Sequence, residues 1–505
     1  MSVTTARRTG ARSSAVGLAG AAVSGLFGFL LAVVLARGFG SAGAGAIFAA
    51  VGLLTVACAV CCLGADTGLV WALPRRALAT AAPLLTVALA PPLALGLLVA
   101  AGGLLLAGPL AGVLLPDAGP SGVRLLSVAS AALPLVVAMT VLLSAVRASR
   151  PITAYAAVQF GLLPVGRPVA VGAVALAAGG VVAALIGWVL PVLLALVACV
   201  ALLYRPLGVD GMSALRPVSA EWRPFWSFAL PRAVSAAIDS GSMWVGVLLT
   251  SALATATDAG VFGGVGRYVL AGQLALQGLR VAVAPQLSRL LGAGRIADAA
   301  AVHRQTTVLA IALSWPVYLL LALFAPAFLA LFGGDFGAGG TAMAVLSAAM
   351  LVNVGLGTVQ TVLLMSGHSR RHLAATSAGL ACTVGFGLWW IPAGGVLGAA
   401  AAWAVGIVVE NVAAAIGARQ VIGGAVVSRS ALLSAAGSVV AVVPIGLCAA
   451  AVAGRGLPGL LLACVSLMCG LAAAVSVRRV RELIRGGVAL LRDARSGSGT
   501  GEDDT

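Results

Sequence analysis

Charge is what this sequence lacks. Of its 505 residues only 9% are charged, lysine is absent altogether, and 14 acids stand against 30 arginines. A soluble domain carries about a quarter charged residues, so a water-facing surface is excluded for most of the chain. Histidine is also scarce, and His303, His368 and His372 fall between apolar runs rather than beside acids. The only adjacent acids, Asp503 and Asp504 with Glu502 before them, lie at the carboxyl end. With no nucleotide-binding loop, no metal-ligand spacing and no nucleophile beside a base, the chain is read as not an enzyme, with no cofactor and no metal. The eight cysteines all lie inside apolar runs, which implies no disulfide framework, and the C-x-x-C of Cys58 and Cys61 is read as core packing.

What is present is apolar: 61% of residues, with a mean hydropathy of +1.12. Lipid is the expected solvent. The apolar runs are helix-length rather than alternating strand-length segments, so the fold class is all-α integral membrane, not a barrel. About fourteen spans are expected, near 15–36, 44–70, 81–107, 124–146, 154–177, 180–203, 227–250, 259–283, 306–331, 341–365, 373–391, 395–418, 430–453 and 457–477. Arg7, Arg8 and Arg12 precede a first run too long for a signal peptide, which is read as a retained helix.

The formal charge of +16 follows from topology rather than from nucleic acid. With both ends in the cytoplasm of a cell-membrane protein, the inner segments collect nearly all loop arginines, including Arg75, Arg147, Arg150, Arg289, Arg295, Arg370, Arg371 and Arg419. The outer loops keep only Arg37, Arg124 and Arg455. Splitting the proline-rich third run in two would invert every later loop and destroy this bias.

A repeat shows at one offset. Ala44-Gly45 recurs 215 residues later as Ala259-Gly260, and Gly179-Gly180-Val181 with Trp188 recurs as Gly394-Gly395-Val396 with Trp403. The expected organisation is therefore two parallel six-helix lobes plus two carboxyl-terminal helices. The boundaries are a cytoplasmic amino terminus over 1–14, lobes over 15–204 and 227–418, a linker over 205–226, the extra helices over 430–477, and a basic tail over 478–505.

Each charge buried in a span costs about 2.5–3.5 kcal/mol at the bilayer centre and is expected to pair or to line a cavity. Arg167, Asp239, Arg267, Arg280 and Glu410 are such charges. At ~1.5 Å per residue, Asp239 lies ~17 Å from the inner end of its span and Arg267 ~12 Å from the outer end of the next. The two are level, as a structural salt bridge or as a cavity-lining pair. Arg232 and Arg280 are read as snorkelling to headgroups, and Asp66 as an interfacial cap. Glu410 joins Arg232 and Arg280 as a candidate for coupling or for the interface.

Several stretches resemble the polysaccharide transporters, the lipid-linked oligosaccharide flippases of the multidrug/oligosaccharidyl-lipid/polysaccharide exporter (MOP) superfamily. They are "LAVVLARGFGSAGAGAIFAAVGLLT" with "GADTGLVWALPRR", then "DAGVFGGVGRYVLAGQLALQGLRVAVAPQLSRLLGAGRIADAAAVHR", and "IPAGGVLGAAAAWAVGIVVEN". The resemblance implies a V-shaped two-lobe bundle with a cationic cavity open alternately to each side. Its implied substrate is an undecaprenyl-pyrophosphate-linked oligosaccharide, with membrane lipid around it and a glycan polymerase or glycosyltransferases as partners. Arg267 matches the family's mid-helix arginine, with Arg167 and Asp239 as further cavity residues. The related lipid II flippases carry arginines in the first two helices. Here Gly52 stands 215 residues before Arg267, which argues against that substrate. A cation-coupled multidrug antiporter is the alternative that Asp239 and Glu410 keep open. A membrane glycosyltransferase would need large outer loops, and the longest here is near Gly108 to Val123.

Overall fold

Long apolar runs with few polar interruptions satisfy their backbone groups only by coiling, and the chain does so along nearly its whole length. A computed structural model describes residues 3–75, 82–204 and 219–476. Among them there is no strand, and ten helices are long and apolar enough to cross a membrane. Most of the expected linker and all of the basic tail lie outside the described residues.

The helices are α1 (Val3–Cys61), α2 (Ala65–Ala72), α3 (Ala82–Leu105), α4 (Ala107–Leu114), α5 (Gly119–Ser149), α6 (Ile152–Ala156), α7 (Leu163–Leu176), α8 (Val181–Tyr204) and α9 (Ser219–Leu253). There follow α10 (Ala256–Gly272), α11 (Leu274–Gly292), α12 (Ile296–Leu323), α13 (Ala325–Leu329), α14 (Gly340–Leu356), α15 (Val359–Met365), α16 (Ser369–Ile422), α17 (Arg429–Ala453) and α18 (Leu457–Ser476). Two of these are pairs of helices joined at one non-helical glycine, Gly40 (φ 68°) in α1 and Gly395 (φ 49°) in α16. A positive φ there kinks the chain without a loop, which only glycine does cheaply.

Two compact units follow. Of the described residues, those up to Arg267 with Phe386–Ala399 form the first, and Tyr268–Gly385 with those from Ala400 onward form the second. In the first, α5 packs between α3 and α8, while α1 packs against α7 and α9. In the second, α12 packs against α14 and α17, and α17 against α18. Leu105, Leu176 and Val452 are 80–93% exposed, as apolar side chains are when lipid is their solvent.

The repeat signal acquires a physical meaning within the first unit. A Cβ built on Gly45 would strike the Ala256 carbonyl and the Gly260 nitrogen, and one built on Gly260 would strike the Ser41 carbonyl and the Gly45 nitrogen. The contact is reciprocal, and its members are related by the same 215-residue offset. Small residues here let two helix backbones touch, the usual device for helix association in lipid.

Candidate functional site

The first unit encloses a cavity of about 650 Å³, within the range of small-molecule sites. Its wall comes from both halves of α1, from α2, from the inner face of α5, from α7 and the turn before it, and from α8, α9 and α10. Four charged side chains line it: Asp66, Arg147, Arg167 and Arg267. Each arginine lies over an aromatic ring: Arg147 over Tyr155 at 5.5 Å, Arg167 over Trp188 at 3.9 Å, and Arg267 between Phe48 at 5.4 Å and Trp244 at 5.5 Å. Ring faces attract a guanidinium in a medium that hydrates it poorly. Arg167, the nearest to its ring, keeps its Nε without a hydrogen-bond partner, a donor that suits an oxygen-rich anion.

Local sequence explains the placement. Arg167 sits between Pro164 and Pro168 in α7, just after a π-helical turn over Ala157–Leu162. The wide turn and the prolines reset the helix face, a feature frequent at functional sites. On α9, Ala236, Ser240, Met243 and Trp244 share the face that lines the cavity, at the spacing of one helical stripe. Three buried polar atoms of the wall have no hydrogen-bond partner: Ser24 Oγ, Ser240 Oγ and Arg167 Nε. Such groups call for a polar ligand or water.

Of the residues expected from sequence, Arg167 and Arg267 come together on this cavity. Asp239 does not join its wall. It is exposed on α9, one position before the lining residue Ser240. Asp66, read as an interfacial cap, instead lines the cavity. The end of the apolar run predicts an inner-loop position for Arg147, yet it occupies the last turn of α5 and reaches the wall. At Gly52 a Cβ would lie 2.9 Å from Trp244 Cε3, so the ring that holds Arg267 fills the space a side chain at position 52 would need.

A second polar cluster lies inside the second unit. Arg280 donates to Gln360 Oε1 at 3.3 Å, Asn353 Oδ1 at 3.4 Å and the Gly357 carbonyl at 3.3 Å. Gln360 donates to Glu410 Oε1 at 2.9 Å, and Thr376 donates to the same oxygen at 3.3 Å. Arg280 therefore does not snorkel, because three acceptors within the bundle hold it. Arg232 is exposed and lies 4.5 Å over Phe228, which stacks on Trp71. His303, expected in a loop, is fully buried in α12, with Nδ1 2.9 Å from Thr358 Oγ1 and Nε2 3.2 Å from the Val426 carbonyl. The helix begins at Ile296, well before the apolar run, because its first turns pack on the core of Leu287, Val359 and Val426. Among the described residues no group of His, Cys, Asp and Glu could hold a metal ion.

No protein-family model matches the sequence, and no curated protein matches it. Solved structures do. The lipid II flippase MurJ, in an inward closed conformation, superposes with a TM-score of 0.71 at 12% identity, over 92% of this chain and 98% of that one. A multidrug resistance MATE family transporter of the MOP superfamily, inward-facing, gives 0.65 at 16%, over 79% and 94%. This chain shares the fold of these two proteins. A MOP superfamily transporter from Pyrococcus furiosus, whose reversed binding-pocket polarity suggests a different function, gives 0.54 at 17%, over 83% and 96%. At identities this low the likeness shows the fold alone.

Proposed function

We propose that the chain is a flippase of the cytoplasmic membrane, carrying an undecaprenyl-pyrophosphate-linked oligosaccharide from the inner to the outer leaflet by alternating access. In this reading it supplies cell-surface polysaccharide synthesis. The observation that carries it is the cavity wall, where three arginines, each over an aromatic ring, outnumber one aspartate. A diphosphate needs forked, charge-assisted donors in a poorly hydrated place, and stacked arginines supply them. Arg167 and Arg267 are the proposed headgroup contacts, Asp239 a charge at the cavity margin, and Glu410 with Arg280 the proposed coupling cluster. The same reading places both termini in the cytoplasm with fourteen spans.

A cation-exporting antiporter is the second reading, favoured by Asp66 and by the aromatic wall of Phe27, Phe48, Tyr155, Trp188 and Trp244, on which a flat cation would stack. The structural neighbours include a multidrug resistance MATE family transporter and a lipid II flippase. Purified protein in vesicles separates them. The flippase reading expects an undecaprenyl-pyrophosphate-linked oligosaccharide to become accessible on the opposite leaflet, with no gradient-driven ethidium uptake. Ethidium transport without movement of the lipid would overturn it.

A further inference from the structure

The cysteines that read as core packing are not all inert. We propose that Cys58 and Cys62 form a vicinal-dithiol site on the cavity, which captures trivalent mono-organoarsenicals. The pair is not the C-x-x-C of the sequence. Cys61 is buried away from the cavity, while Cys58 and Cys62, one helical turn apart, both line it. Their sulfurs lie 3.8 Å apart, close to van der Waals contact, and the Cys58 sulfur lies 3.7 Å from Thr140 Oγ1. All eight cysteines are free thiols.

The donor count selects the ligand class. Zinc and similar ions want three or four protein ligands, and no such group is present among the described residues. A mono-organoarsenical needs two, because its third bond is to carbon. Phenylarsine oxide, as its hydrate, exchanges two As–O bonds for two As–S bonds. Each thiol proton leaves with a hydroxide as water, and arsenic stays trivalent, so no oxidant is required. The cavity of about 650 Å³ has room for the phenyl group beside the aromatic wall. Cys62 follows directly on the last residue of α1, and the chain turns out of the helix at Leu63 (φ 51°) and Gly64 (φ 74°).

The test uses the purified full chain, phenylarsine oxide and intact-mass spectrometry, and needs no transport assay. It therefore stands or falls apart from the flippase reading. One adduct per chain is expected, removed by 2,3-dimercaptopropanol. Two-point attachment raises effective concentration by orders of magnitude, so glutathione should strip it roughly a hundredfold more slowly than from either single-cysteine variant. Cys58→Ser and Cys62→Ser should each lose the glutathione-resistant adduct, while Cys61→Ser and Cys448→Ser keep it. Absence of an adduct on folded wild-type protein, or a resistant adduct that survives in Cys58→Ser or Cys62→Ser, would overturn the proposal.

Discussion

Arg267 is the residue on which the functional reading turns. It lies between Phe48 and Trp244 on the cavity wall, where a charge is costly unless it serves an anion. Arg267→Ala should insert normally and lose transport roughly tenfold or more, the equivalent of a charge-assisted hydrogen bond of about 1.5–3 kcal/mol. Arg267→Lys should retain part of the activity, since a point charge replaces a fork. The double swap Asp239→Arg with Arg267→Asp should not restore it. Full transport by Arg267→Ala at wild-type abundance would transfer the role to Arg167. Membrane arginines such as Arg167 and Arg267 are legible in sequence because they are rare and expensive. Arg147 is not, because an arginine at the end of an apolar run looks the same whether it faces water or turns back into a cavity. The partners of Arg280, at Asn353, Gly357 and Gln360, are distant in sequence and carry no local mark.

Elements in this chain are joined by glycines whose backbone no other residue adopts cheaply. Gly64 has φ +74°, and a Cβ there would run into the Ala229 carbonyl. Gly294 has φ +72° with nothing within 4 Å. Gly294→Ala should therefore cost only the left-handed penalty of about 1–2 kcal/mol, whereas Gly64→Ala adds a backbone collision and should lower the melting temperature further. Equal losses in a thermal-shift measurement would refute the packing role of Gly64. The Gly45–Gly260 contact makes a parallel case: either residue changed to Val should lower the yield of monodisperse protein, because backbone rather than a flexible side chain stands in the way. Sequence periodicity exposes the matching glycines at one offset. It does not say that they touch, since repeats are as easily kept apart as brought together.

For the molecule as a whole, the arrangement of arginines makes a prediction about sidedness. In a cysteine-free background, cysteines at Ala297 and Ser369, both exposed, should react with impermeant maleimide only from the cytoplasm. Those at Ala118 and Gly337 should react only from outside. Labelling of either pair from the opposite face would refute the fourteen-span parity. At the same scale, loss of the gene should deplete one surface glycan and leave its lipid-linked precursor on the inner leaflet, without raising sensitivity to cationic dyes.

Composition alone determined that this chain dissolves in lipid as helices, because unpaired backbone in hydrocarbon leaves no cheaper choice. The run lengths located most spans, and the cost of burying charge singled out Arg167 and Arg267. Tertiary structure decided the rest. It brought Arg147 and Asp66 onto one wall with those two, paired Cys58 with Cys62 rather than Cys61, closed Arg280 and Glu410 through Gln360, and buried His303 under Val426. Each of those depends on which helix faces meet. In an Ala-, Gly- and Leu-rich membrane chain nearly every face is apolar enough to be buried, so hydrophobic patterning does not choose among them, and close packing does.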